Sequence, residues 1–146
     1  MTTEIKAPSD LEIKNSIKVL SLLSKIDGIS YEQQPDHPDI FVVHEAETEQ
    51  KVVVDVEEDT IVTFCEITDY PGELPEGLAE KLLELNHGAV HGAFTTSNNK
   101  LYFKSNLQIE NLDLNELEAS LRSVILVVYR SLPIISEYFS GQKDGQ

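Results

Sequence analysis

Apolar positions change their period along this chain, and each change marks an element. From Asp113 to Phe139, residues Leu114, Leu117, Leu121, Val124, Val128, Leu132 and Ile135 recur at spacings of three and four. That is the stripe of a helix with one buried face. Asp113 followed by Glu116 predicts a capping box at its start. Leu126 and Val127 fall outside the stripe, so Val124 to Tyr129 is apolar nearly all round, as in a helix covered on more than one side. Pro133 predicts a bend, or an end to the regular helix near Ser131 or Leu132. The apolar pattern then continues through Ile134, Ile135, Tyr138 and Phe139.

Two shorter helices are predicted upstream. Ser9 and Glu12 form a second capping-box signature. Behind it Ile13, Ile17, Leu20 and Leu23 or Ser24 read as the buried stripe, widened by Val19, Leu22 and Ile26, with Lys14, Lys18 and Lys25 on the remaining arc. Gly28 is the stop. A helix from about Glu76 to Asn86 carries Leu78, Leu82 and Leu85 and ends before Gly88. Between and after these, the period shortens. Ile40–His44, Lys51–Val56 and Thr60–Ile67 are dense in β-branched and aromatic residues and read as a meander of three strands. The segment Tyr31–Gln33 is a candidate edge strand. In the third strand Ile61, Thr63, Cys65 and Ile67 share one face, and Val62, Phe64 and Glu66 the other. His91–Thr96 and Lys100–Asn106 read as a hairpin turned at Ser97, Asn98 and Asn99, because Asn tolerates a left-handed backbone. Leu101 and Phe103 share one face of its second strand, Tyr102 and Lys104 the other. The order is helix, three strands, helix, two strands, helix. It predicts an α+β fold with a curved antiparallel sheet packed against helices, in one domain with an ordered core of about residues 9 to 140. Residues 1 to 8 and the tail from Gly141 are expected to be loose.

Charge adds a direction. The net charge is -15, and residues 1 to 80 hold 19 of the 26 acids but 5 of the 11 bases. From Asp27 to Glu80 the one Lys or Arg is Lys51. Such a field repels nucleic acid and anionic membrane and favours a basic partner. The longest purely apolar run, Val124–Val128, is too short to span a bilayer. The N-terminus lacks the pattern of a secretory signal. One cysteine, Cys65, gives no intrachain disulfide framework and fits a reducing, cytoplasmic compartment.

Signals for catalysis are weak. The glycines form no phosphate-binding loop. Cys65 lies in a strand, where a buried inert thiol is the expectation. His87 and His91 are four apart, but Gly88 between them breaks a shared helical face, so no metal site is expected. Glu45, Glu47 and Glu49, and Asp55 with Glu57–Asp59, read as solvated turns without an EF-hand pattern. No cofactor and no catalytic residue is assigned. A polar pocket around His37, His44, His91 or the acids near Asp69 would favour the alternative of a small-substrate enzyme. A second alternative is a regulatory or structural subunit of a larger complex.

The passage LLELNHGAVHGAFTTSNNKLYFKSNLQIENLDLNELEASLRSVI, residues 82 to 125, resembles the YbjN-like proteins and their relatives with the type III secretion chaperone-like fold. The shared features are a leucine-rich helix ending in Asn, a Gly-x-Phe strand, a polar turn, a strand and a long helix behind an acidic cap. Leu82, Leu85, Asn86, Gly92, Phe94, Leu101, Leu112 and Leu114 carry them. The order of elements extends the likeness to about residues 9 to 140, and the chain looks especially similar to a cyanobacterial branch whose function is not established. The resemblance implies dimerisation and binding of a protein or peptide without catalysis. The surface expected to serve the partner or the homodimer comprises Val62, Phe64, Leu126, Val127, Tyr129, Ile134 and Tyr138.

Overall fold

In the computed structural model the described backbone runs from residue 7 to residue 144, with side chains to residue 140. Helix α1 (Asp10–Leu23) is followed by β1 (Ile29–Gln34), β2 (His37–Glu45), β3 (Lys51–Val56) and β4 (Thr60–Asp69). Then come α2 (Leu78–Gly88), β5 (Ala93–Ser97), β6 (Lys100–Gln108) and α3 (Leu114–Asp144). The strands form one antiparallel sheet in the order β1-β2-β3-β4-β6-β5. The sheet therefore has six strands where five were predicted. The edge candidate at Tyr31–Gln33 is a full strand, β1, paired from Ile29↔Glu45 to Gln33↔Phe41 before a bulge. Its polar residues hid it: an edge strand has only one neighbour and one partly covered face, so apolar alternation is weak.

One face of the sheet builds the core. Phe41, Val43, Val52, Val54, Val56, Ile61, Cys65, Leu101, Phe103 and Phe94 are buried on it, and the helices cover them. α1 packs on β2 and β3, α3 on β3, β4 and β6, and α2 on β5. The predicted alternation holds in β6 and in β4 as far as Glu66, where a bulge at Ile67 shifts the register. Ile61, Thr63 and Cys65 are buried while Val62 and Phe64 are half-buried; Leu101 and Phe103 are buried while Lys104 is exposed.

α3 keeps the face read from its pattern. Leu117, Leu121, Val124, Val128 and Ile135 are buried, and Asp113 caps it by accepting from the Glu116 N–H at 2.8 Å. It does not end at Pro133; the helix continues through that residue to Asp144. A proline removes one N–H donor from the ladder, and here burial of Ile135 and packing of Leu132, Tyr138 and Phe139 against the core hold the segment beyond it. By length and composition Leu114–Ser140 is apolar enough to cross a bilayer. Its stripe is instead packed on the sheet. The tail from Gly141, expected to be loose, instead continues α3 to Asp144, while residues 1 to 6 of the expected loose N-terminus and the last two residues lie outside the described ones.

α1 departs from its prediction. The capping box is present, with Glu12 N–H donating to Ser9 Oγ at 3.1 Å and Ser9 N–H to Glu12 Oε1 at 2.8 Å. The buried face, however, is Asn15, Ser16, Val19 and Leu23. Ile13 and Ile17, the centre of the predicted stripe, are exposed, Ile17 at 65%. The cause is polar. Asn15 Nδ2 donates to the carbonyls of Glu57 and Glu58, at 3.2 and 2.9 Å, at the β3–β4 turn. Those bonds fix which side of the helix faces the sheet.

Candidate functional site

The residues expected to bind a partner separate onto different sides of the fold. Val62 and Phe64 are half-buried on the sheet face that no helix covers, and Phe64 meets Tyr102 edge to face at a 5.7 Å ring separation. Leu126 and Tyr129 lie on the solvent side of α3, 43% and 53% exposed. Val127 is half-buried and packs against the core. Ile134 and Tyr138 line a shallow depression with Lys81 and Glu137, where α3 passes α2. Six of the seven residues thus fall into three patches rather than one surface, and Val127 packs at the margin of the core.

Other apolar surface escaped the sequence reading. Ile13 and Ile17 on α1 were assigned to the core. On the open sheet face Val42 and Val53, not expected there, line up across the strands with the expected Phe64, and Ile40, also not expected, shares the neighbour Asp55 with the expected Val62. The signal was present as apolar residues on the second face of each strand. Register alone brings them together, and register is not written in one strand's sequence.

The open face is bounded by charge. A concavity of about 300 Å³ is lined by Asp55, Glu57, Val62, Phe64, Thr95, Ser97, Tyr102 and Lys104. Burial pushes the Asp55 carboxyl above its ordinary range, and the charges of Glu57, Asp39 and Glu12 push the same way. Across the concavity, Lys104 has no ion-pair partner among the described residues, whereas Lys100 bonds Glu66 at 2.7 Å and Asp69 at 3.4 Å. Those bonds raise the Lys100 pKa. At the opposite corner Glu45 accepts the backbone N–H groups of Glu47 and Thr48, at 2.7 and 2.8 Å, which hold its carboxyl below the usual range.

The groups weighed for chemistry do not converge. Cys65 is buried, and desolvation followed by the Glu66 charge pushes its thiol up to about 11, so the thiolate needed for nucleophilic attack is disfavoured. His44 faces the open side of β2 opposite Lys51, His91 sits exposed in the α2–β5 link, and Asp69 pairs with Lys100. Among the described residues no three His, Cys, Asp or Glu side chains are placed to share a metal ion.

Two residues of the 82–125 passage have structural tasks. Asn86 Oδ1 accepts from the Phe94 N–H at 2.6 Å while its Nδ2 donates to the Phe94 carbonyl at 3.2 Å. The amide so takes the place of a neighbouring strand on the outer edge of β5 and closes that edge. Gly92 has φ +91°, and a Cβ there would stand 2.6 Å from the Lys104 carbonyl oxygen. Only glycine fits that close approach.

Comparison with known proteins agrees with this architecture. No curated protein sequence matches the chain. Among solved structures, one chain of the heterodimeric ExoU-SpcU complex from the type III secretion system of Pseudomonas aeruginosa is similar. It superimposes with a TM-score of 0.58 at 16% identity, over 70% of this chain and 87% of that one. YbjN from E. coli, described as a putative transcription regulator, gives a TM-score of 0.58 at 12% identity, over 80% of this chain and 89% of that one. Likeness at such low identity speaks to the fold. The CesT_Tir_1 family model matches residues 13–140. The chain belongs to that family of type III secretion chaperones, with the α+β chaperone-like fold.

Proposed function

We propose that the protein is a non-catalytic, chaperone-like binding module that works as a homodimer in the cytoplasm and holds a protein or peptide partner of basic character. The observation that carries this reading is apolar surface left uncovered on well-ordered elements: Ile17 on α1, and Leu126 and Tyr129 on α3. Isolated exposed apolar residues are ordinary, but aligned ones on a helix mark a place where another chain packs. Chaperones are the family to which the sequence belongs, and the similar ExoU-SpcU structure is a complex of two different chains. The net charge of -15 supports the basic character of the partner, since it attracts cationic segments and repels acidic ones.

Burial of partner side chains against α3 is the mechanism, and charge steers the encounter. The experiment is a fluorescence titration with labelled peptides of matched apolar content and opposite net charge. Wild type binds the basic set, and binding weakens as salt rises. Leu126→Asp with Tyr129→Asp, two solvent-facing positions, keeps the circular dichroism melt and loses most of the binding. Equal affinity for acidic and basic peptides removes the charge part of the reading. Retained binding by the double variant removes α3 as the site.

A further inference from the structure

Three segments distant in sequence meet at one end of the molecule. They are the α1–β1 turn at Gly28, the β2–β3 turn from Glu45 to Thr48, and the stretch of α3 from Arg122 to Leu126. The Ala46 N–H donates to the Gly28 carbonyl at 3.2 Å and ties the two turns together. Arg122 ties α3 to them, its Nη2 donating to the Asp27 carbonyl at 2.9 Å. Between the three lies a depression of about 310 Å³. That volume is at the bottom of the range for small-molecule sites, so a side chain of a larger partner fits it better than a cofactor does.

The floor is apolar and the rim is acidic. Ile125 is almost wholly enclosed, Leu126 stands half in water beside it, and Ala46 is an exposed wall. Glu45, Glu47 and Arg122 carry the charge of the rim. Arg122 is already engaged within the chain, with Nε and Nη2 both 2.8 Å from Glu118 Oε2. One cation against the carboxylates of Glu45, Glu47 and Glu118 leaves the rim acidic. Glu45 is also fixed before anything binds. Its Oε2 accepts the Glu47 N–H and its Oε1 the Thr48 N–H, at 2.7 and 2.8 Å. A carboxylate offers about four lone-pair positions, so each oxygen keeps room for an incoming donor. A group held in place loses little freedom when a ligand arrives.

Those features select the occupant. An acidic segment meets like charges at Glu45 and Glu47, and a purely apolar one gains nothing from the rim. An apolar residue with a cation close by satisfies both at once. In an extended segment, side chains two positions apart lie on one side. We propose that this depression is a specificity pocket, which takes one large apolar side chain of an extended partner segment against Ile125 and Leu126 while a lysine or arginine two positions away bonds Glu45 and Glu47. The proposal rests on the binding-module reading above and puts the apolar and the basic parts of that reading in one place.

The test is a fluorescence titration with two labelled peptides of identical composition. Both have about twelve residues, too short for a stable helix in water. In the paired isomer every leucine has a lysine two positions away; in the other the lysines are gathered at the ends. Net charge and apolar content are equal, so the overall field of the protein attracts both alike. Wild type binds the paired isomer about fivefold tighter, the upper worth of an exposed ion pair. Glu47→Lys reverses that order, since the backbone bond to Glu45 does not involve the Glu47 side chain. Ala46→Phe fills the depression from an exposed position, keeps the circular dichroism melt, and lowers affinity for the paired isomer about tenfold. Equal affinity of wild type for the two isomers overturns the proposal. So does Ala46→Phe binding as wild type does, or Glu47→Lys keeping the wild-type order. Peptides that bind wild type with no regard to lysine order or to Ala46→Phe leave the binding module standing without this pocket. A wild type that binds neither isomer removes both.

Discussion

Helices α1 and α3 carry the same kind of signal. Both have apolar residues at spacings of three and four, and both start at a side-chain cap. In α3 the stripe read from the pattern is the buried face. In α1 the centre of the predicted stripe is the exposed face, and the buried one holds Asn15 and Ser16. The difference lies in how much of each helix is apolar and what it meets. α3 crosses the middle of the sheet, over β3, β4 and β6, where burial dominates. α1 lies over β2 and β3 beside the β3–β4 turn, whose carbonyls at Glu57 and Glu58 accept from the buried Asn15 amide. An unpaired buried amide costs about 1–3 kcal/mol, comparable to burying one aliphatic side chain, so these two hydrogen bonds can set the rotation of a helix.

The comparison breaks most visibly at its strongest point. Leu121→Ala removes a side chain that is almost wholly enclosed under α3. Destabilisation of about 3 kcal/mol is expected, within the usual range for a core leucine. Urea denaturation reads it as a lower midpoint at unchanged slope. A loss under about 1 kcal/mol would mean that α3 is not the packing centre described here.

Asn15→Ala tests the polar half of the contrast. It removes the donor to both turn carbonyls in a nearly buried setting. The expected loss is about 2 kcal/mol, large for a substitution that deletes no apolar surface. Asn15→Leu gives the sharper form. If the hydrogen bonds fix the rotation of α1, adding apolar area does not recover the loss. If area alone governs docking, Asn15→Leu equals or exceeds wild type.

Much of this architecture was legible in the sequence, for reasons that particular residues show. The side-chain caps at Ser9 and Asp113 are local, and both were read correctly, although the reciprocal bond of a full capping box forms at α1 and, among the described residues, is not seen for Glu116 at α3. The faces of β4 and β6 follow from strict alternation around Phe64 and Phe103. The turn at Asn98 and Asn99, both at positive φ, follows from residue type. What failed was non-local. The facing of α1 depends on Glu57 and Glu58, more than forty positions away in sequence. β1 depends on pairing with β2, since its own residues are mostly polar. The continuation of α3 past Pro133 depends on packing around Ile135 and Tyr138. The candidate surface was half legible: of Leu126 and Val127, read as lying off the stripe, Leu126 is exposed and Val127 packs against the core, while the row that joins Phe64 to Val42 and Val53 exists only through register.

A smaller effect arises at Glu45, near Gly28 after α1 and beside Arg122 on α3. Its folded pKa is depressed by the Glu47 and Thr48 backbone N–H groups. A depressed carboxylate contributes stability that is present above its unfolded pKa and lost as pH falls through the folded one. Glu45→Gln therefore lowers the melting temperature at neutral pH, and the difference from wild type closes in acid, below the ordinary carboxylate range. A gap that persists unchanged at acid pH would assign the effect to lost packing rather than to charge.

The smallest expected effect is the most telling about α1. Ile17→Ser replaces an isoleucine whose side chain stands mostly in water. If α1 is turned as described, the change costs no more than about 0.5 kcal/mol, apart from the weak helix preference of serine. If the stripe Ile13–Ile17–Leu20 were instead the buried face, the same change would cost several times that, as polar substitution in a core does. The paired measurement is the peptide titration. A stable Ile17→Ser with weakened binding makes the α1 stripe part of the partner surface alongside α3. A stable variant with unchanged binding confines the partner to Leu126 and Tyr129, and leaves Ile17 as one of the scattered apolar residues that any protein surface carries.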